Sequence, residues 1–321
     1  MKKTPVVILL HARPQYGIRV IDSLKNQVGD RDVFIIIDGI NKNAPYLAQY
    51  IFANYDYAKE NIPHATIAFM KENFGIATIT RMARTTLFDT FDQFFFFEED
   101  CVCSPNYIRN LDLMAEQFKN DYRVGMVSCF GEYHREKHDF DWLIDAPVKS
   151  NSECPYRSTP SLAVQKNNCD NIIGMHHNWG YCIFKRAYTA TLNDMNEYYS
   201  LIADYAYISR PHQKIYAWLS TKGIVGAVSS QDSVFASLLA THGLARISSF
   251  TTCMSHIGKF GFHTTPDVFA REAWEKLPRF NDELTFPTGY NDRHVDVILN
   301  SQKKMYGLSD PLFDKVTKES T

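Results

Sequence analysis

No stretch of this 321-residue sequence approaches the roughly 18 consecutive apolar residues that a membrane-spanning helix needs. The aliphatic runs at Val6–Leu10 and 34–37 stop after a few residues. Met1-Lys2-Lys3 imitates the basic start of a signal peptide. The apolar run behind it breaks at His11 and Arg13, short of the ~7–15 residues of a secretory core. Read instead as a first β-strand, this opening predicts a cytoplasmic protein whose seven cysteines are free thiols. Only Cys101 and Cys103 lie close together, and no second Cys/His pair stands at ligand spacing, which argues against zinc. Charge of one sign is also missing: 34 Lys+Arg against 36 Asp+Glu leaves −2, so there is no broad basic surface for nucleic acid. Repeats, low-complexity tracts and a recognisable interdomain linker are absent. Finally, His11-Ala-Arg-Pro-Gln15 after the first strand holds no glycine-rich phosphate cradle. That speaks against a dinucleotide-dependent dehydrogenase and against a sugar-nucleotide pyrophosphorylase, though the latter stays open as a rival.

What the first half does contain is a regular alternation of short apolar runs and helix-period segments. Strands are predicted at 5–10, 33–37, 65–69, 93–97 and 124–128. Helices are predicted at 16–27, 45–58, 75–91 and 105–118. Such alternation defines an α/β protein with a mixed, mostly parallel sheet flanked by helices. Residues 131–171 are polar and irregular, and a loop of that length in a compact unit is usually functional. A strand returns at 181–184, followed by helices near 211–221 and 232–241. The expected organisation is one globular unit. Residues 1–130 form a ligand-binding α/β half, 131–301 an elaborated second half, and 302–321 a charged tail.

The most informative stretch is Phe94-Phe-Phe-Phe97-Glu98-Glu99-Asp100. Four aromatics predict a strand buried on both faces. Three carboxylates at its C-terminal end repel one another unless a cation or a hydrogen-bond network offsets them. Ligands of open α/β sheets sit at that end, and Mn²⁺ or Mg²⁺ suits carboxylate oxygens. A solvated acidic turn is the plainer alternative.

With the residues that follow it, Glu98-Glu99-Asp100-x-x-x-Ser104-Pro105-x-Tyr107 resembles the metal-binding strand end of GT-A glycosyltransferases. The pattern is most like that of the N-acetylglucosaminyltransferase I-like enzymes, which carry Asp at the middle acidic position where this chain has Glu99. The resemblance implies a Rossmann-like GT-A fold with Asp100 as the direct metal ligand. Glu98 and Glu99 would then face the donor sugar or support the site. It further implies that Arg13, after the first strand, contacts the nucleotide, and that Asp38, after the second, hydrogen-bonds its base. Asn73, Gly75 and the helical Arg81, with Arg84 three residues on, would face the donor. As a carboxylate and guanidinium chemistry these roles are reasonable, although Asp38-Gly39 is also an ordinary turn signal and a pair of helical arginines an ordinary solvated face.

In the second half, Asn178-Trp179-Gly180 resembles the segment beside donor sugar and acceptor, where Trp179 would stack on a sugar ring or serve the core. Asp232, opening a helix, corresponds to the catalytic base of inverting relatives, with helix-end electrostatics as the competing explanation. Ser255-His256-Ile-Gly258-Lys259 resembles a loop that closes over the donor. There His256 would join the metal and Lys259 would pair with a phosphate. The implied activity is metal-dependent transfer from a nucleotide-diphosphate sugar, expected to be a UDP-sugar, to a glycan or glycolipid hydroxyl. A lipid-linked acceptor would bring the protein to the inner face of a membrane. A catalytically silent carbohydrate-binding protein of the same fold is the rival from another class.

Overall fold

The computed structural model describes residues 3–131, 161–261, 265–272, 278–285 and 292–308. The alternation in the first half builds β1 (Val6–Leu10), α1 (Pro14–Leu24), β2 (Val33–Ile37), α2 (Ala48–Asn61), β3 (Thr66–Phe69), α3 (Gly75–Phe88) and β4 (Gln93–Phe97). Then follow β5 (Cys101–Cys103), α4 (Tyr107–Phe118) and β6 (Val124–Ser128). The second half contributes α5 (Leu162–Asn167), β7 (Ile172–Gly174), β8 (Tyr181–Phe184), α6 (Lys185–Ile202), α7 (His212–Thr221), α8 (Gln231–Thr241), β9 (Ala245–Ser249), β10 (Met254–His256), α9 (Pro266–Glu272) and α10 (Asp292–Met305).

Eight strands form one sheet in the order β3-β2-β1-β4-β8-β6-β9-β7. Neighbours are parallel except where β8 and β7 run against theirs. β5 and β10 form a separate antiparallel pair. The chain runs outward from β1 through β2 to β3 and returns to place β4 on the other side of β1, so the switch point lies between β1 and β4. Both strands end there.

β4 explains how the sheet is held. Phe95 and Phe97 join the core under α1 and α4, whereas Phe94 and Phe96 join the core under α3, α6 and α8. Alternate side chains of one strand therefore serve both layers, as its unbroken aromatic run predicts. α6 escapes sequence reading because its buried stripe (Ala187, Thr191, Met195, Tyr198, Ile202) is diluted by a Tyr/Asn/Asp-rich remainder. α10 continues to Met305 with Gln302 buried, so regular structure extends beyond the point at which charge composition marks a tail. Most of the irregular 131–171 segment lies outside the described residues, and 162–167 of it is helical. Among the described residues no helix is long and apolar enough to cross a membrane, and Cys101, Cys103, Cys129, Cys169, Cys182 and Cys253 are free thiols.

Candidate active site

The chain leaves β1 and β4 side by side, and the residues just past their ends meet. Arg13 Nε donates to Glu99 at 2.5 Å, and one terminal nitrogen donates to Asp100 Oδ2 at 3.1 Å. Its other terminal nitrogen donates to the Phe260 carbonyl at 3.0 Å. The His11 backbone N–H adds a hydrogen bond to Glu99 at 2.9 Å. Burial alone would lower the Arg13 pKa, but the two carboxylates outweigh it and hold the guanidinium charged. Glu99 is thus a structural partner of Arg13.

Glu98 has the opposite surroundings. It is only partly exposed, and its side chain makes no hydrogen bond or ion pair among the described residues. Burial first, then the charges of Asp232 and Asp100, push its carboxyl well above the ordinary range. Asp232, far away in sequence on α8, thus lies near enough for its charge to act on Glu98. Helix-end geometry explains its placement without assigning it the cap. Ser230 Oγ accepts from the Ser233 N–H at 3.4 Å, so Ser230 is the N-cap and Asp232 stands in the first turn. From the α3 side, buried Arg84 donates to the Tyr181 hydroxyl at 3.1 Å and lies 4.0 Å from the Phe235 ring. Burial pulls its pKa down, but Tyr181, Tyr199 and Asp232 together raise it.

Asp100 is shared. Its Oδ2 faces His256 Nε2 at 3.5 Å as well as Arg13. Burial raises its pKa, yet His256 and Arg13 carry it below the usual carboxylate range. The pairing of β10 with β5 sets His256 opposite Cys101, and the Ile257 N–H donates to the Asp100 carbonyl at 2.9 Å. Gly258 is required here: a Cβ would sit 2.5 Å from Asp100 Oδ2 and 2.9 Å from the His256 ring. Asp100 and His256 supply a carboxylate and an imidazole side by side, donor types that a divalent cation accepts. No group of three His, Cys, Asp or Glu converges among the described residues. Phosphate oxygens and water would complete the shell, as Mg²⁺ and Mn²⁺ commonly require.

The other expected site residues have the following partners. Trp179 stacks with His177 (centroids 4.1 Å, 9°) and with His256 (3.9 Å, 11°). Asp38 is 7% exposed and its carboxylate already accepts four N–H groups, from Gly39, Phe74, Gly75 and Asn73, each at 2.9 Å. These four bonds match the roughly four lone-pair sites that a carboxylate offers. Asn73 also lies 3.1 Å from the His11 ring, and Gly75 adopts φ +76° to begin α3, so both residues build this turn. Arg81 turns to α6, where it donates to Asn196 at 3.0 Å and lies over Tyr199. Lys259 extends into solvent at the rim, beside the Phe260 carbonyl that receives Arg13. Sequence reading missed Tyr181 and His177. Nothing in their spacing marks them, because β8 enters the sheet antiparallel and brings its N-terminal end to the edge where the other strands finish.

No family model and no curated protein matches the chain. Among solved structures it is similar to glucosyl-3-phosphoglycerate synthase from Mycobacterium tuberculosis, solved with Mn²⁺, UDP and glucosyl-3-phosphoglycerate (12% identity, 59% of each chain, TM-score 0.32). It is also similar to the bifunctional glycosyltransferase WbbM (11% identity, 99% of this chain and 51% of that one, TM-score 0.39). A third is the galactosyltransferase LgtC, solved with donor and acceptor sugar analogues (11% identity, 89% and 98%, TM-score 0.37). The chain thus spans 59% and 51% of the first two of these proteins. At such scores the α/β fold stands on the strand order itself, and the chemistry on the chain's own residues.

Proposed function

We propose that the chain is a GT-A glycosyltransferase that moves a sugar from a nucleotide-diphosphate donor, expected to be a UDP-sugar, to a glycan or glycolipid hydroxyl. The observation that supports this most directly is the gathering of Arg13, Glu99, Asp100 and His256 at the sheet's switch point, with Glu98 beside them and under the charge of Asp232. Inversion, and kinship with the N-acetylglucosaminyltransferase I-like enzymes, belong to the same reading. So does work in the cytoplasm, with contact at a membrane face when the acceptor is lipid-linked.

The donor's diphosphate would lie along Arg13 and Lys259, with the sugar turned into the cleft toward Glu98. Mn²⁺ or Mg²⁺, held by Asp100 and His256, would supply charge compensation for the departing diphosphate. Asp232 takes the proton from the acceptor hydroxyl as its oxygen bonds to the anomeric carbon, general-base chemistry from the opposite wall. Asp38, Asn73 and Gly75 tie the end of β2 to the β3–α3 turn, and Arg81 braces α3 against α6.

The test is a thermal-shift screen of nucleotide sugars with Mn²⁺ or EDTA, joined to an assay of donor hydrolysis without acceptor. UDP with Mn²⁺ should raise the melting temperature, because a ligand that binds only the native state stabilises it. Slow metal-dependent hydrolysis should follow with the right donor. Binding without any hydrolysis or transfer would favour a silent carbohydrate-binding protein, and no response to any nucleotide would overturn the reading.

A further inference from the structure

Three rings, His177, Trp179 and His256, form one continuous stack beside Asp100. The middle of the stack is held by its backbone. Gly180 turns with φ +50° in a space so tight that a Cβ would meet Met254 Sδ at 2.8 Å and the Tyr107 hydroxyl at 2.9 Å. The Tyr107 hydroxyl donates to the Gly180 carbonyl, and Ser128 Oγ donates to the same oxygen at 3.1 Å. On the other side, the Asn178 side chain receives a hydrogen bond from Arg246 at 2.9 Å. Trp179 is therefore fixed in position, and the His256 ring lying flat on it cannot turn about its own side-chain bonds without breaking the stack.

We propose that Trp179, backed by His177, is the positioning residue that aims the His256 imidazole at Asp100 and thereby sets the protein's affinity for a divalent cation. This rests on the metal-dependent reading proposed above. Outer partners that orient a metal-ligating histidine are commonly worth ~10–100-fold in metal affinity. Here the orienting contact is a ring face rather than a hydrogen bond.

The experiment is a titration with MnCl₂, following free Mn²⁺ by electron paramagnetic resonance, with and without UDP. Wild type is compared with Trp179→Leu, Trp179→Phe, His177→Leu, His177→Phe and Asp100→Asn. Trp179→Leu should weaken Mn²⁺ binding by ~10–100-fold, while UDP affinity in EDTA holds. Trp179→Phe and His177→Phe, which keep a flat ring, should recover most of the wild-type affinity, and His177→Leu should fall between. Should Trp179→Leu not fold, the His177→Leu and His177→Phe pair carries the same comparison. Mn²⁺ affinity unchanged in folded Trp179→Leu or His177→Leu would overturn the proposal while leaving the metal reading intact. Undiminished Mn²⁺ binding by Asp100→Asn, or none by wild type with UDP, would overturn the metal reading and the positioning role with it.

Discussion

Arg13 and Glu99 close the gap between the ends of β1 and β4 with a 2.5 Å charge-assisted hydrogen bond, and the same guanidinium reaches Asp100 at 3.1 Å. One side chain thus ties two of the three consecutive carboxylates and leaves Glu98 outside the tie. The fork geometry matters because only a guanidinium presents several donors in one plane.

Arg13→Lys should therefore behave almost like Arg13→Ala. Lysine keeps the charge but cannot hold both carboxylates in the same way. Each variant should lose about 1–3 kcal/mol in urea unfolding, the range for hydrogen bonds to charged groups left unmade, and each should weaken UDP binding. A lysine variant equal to wild type in both measurements would refute the bridging role.

For Asp38 the expectation is a loss of stability rather than of nucleotide affinity. Its four accepted hydrogen bonds are internal, three of them from backbone. Asp38→Ala strands those donors and should cost about 2–4 kcal/mol, since each unmade bond to a charged group is worth roughly 1.5–3 kcal/mol before relaxation. Calorimetry at a temperature where the variant stays folded should give UDP affinity within about twofold of wild type. A nucleotide-bound crystal structure with the base on Asp38 would contradict this.

Asp232→Asn should leave donor binding nearly constant and reduce transfer by ~10²–10⁴-fold, the usual contribution of a positioned base. The N-cap belongs to Ser230, so Ser230→Ala should show the reverse pattern. It should lose about 1 kcal/mol of stability with transfer largely preserved. The anomeric configuration of the product, read by NMR, is an independent check: retention would remove Asp232 from the base role.

Five of the six described free cysteines should resist thiol reagents in the folded protein. Burial pushes their thiols up, Cys253 to about 12, and Cys169 alone among the six is partly exposed. The thiolate is the reacting species. Rapid native-state labelling mapped by mass spectrometry should find Cys169 and spare Cys101, Cys103, Cys129, Cys182 and Cys253 until denaturant is added.

The sequence by itself determined the layered α/β plan and the place of the three carboxylates in it. Local information suffices for both: a five-residue β-branched and aromatic run such as Val33–Ile37 between polar turns reads as a strand, and carboxylates following Phe94–Phe97 sit at the carboxyl end of theirs. Spacing could not say which way each side chain turns. Nothing in the spacing around Trp179 shows that the rings of His177 and His256 stack with it. Asp38 reads as a ligand contact until its four internal donors are counted. The short strands β7, β9 and β10 and the diluted stripe of α6 carry too little periodicity to be read alone, yet β10 delivers His256 to Asp100. Only tertiary structure decided these contacts, because they join residues that local periodicity cannot connect: Asp38 with 73–75, and Trp179 and Asp100 with His256.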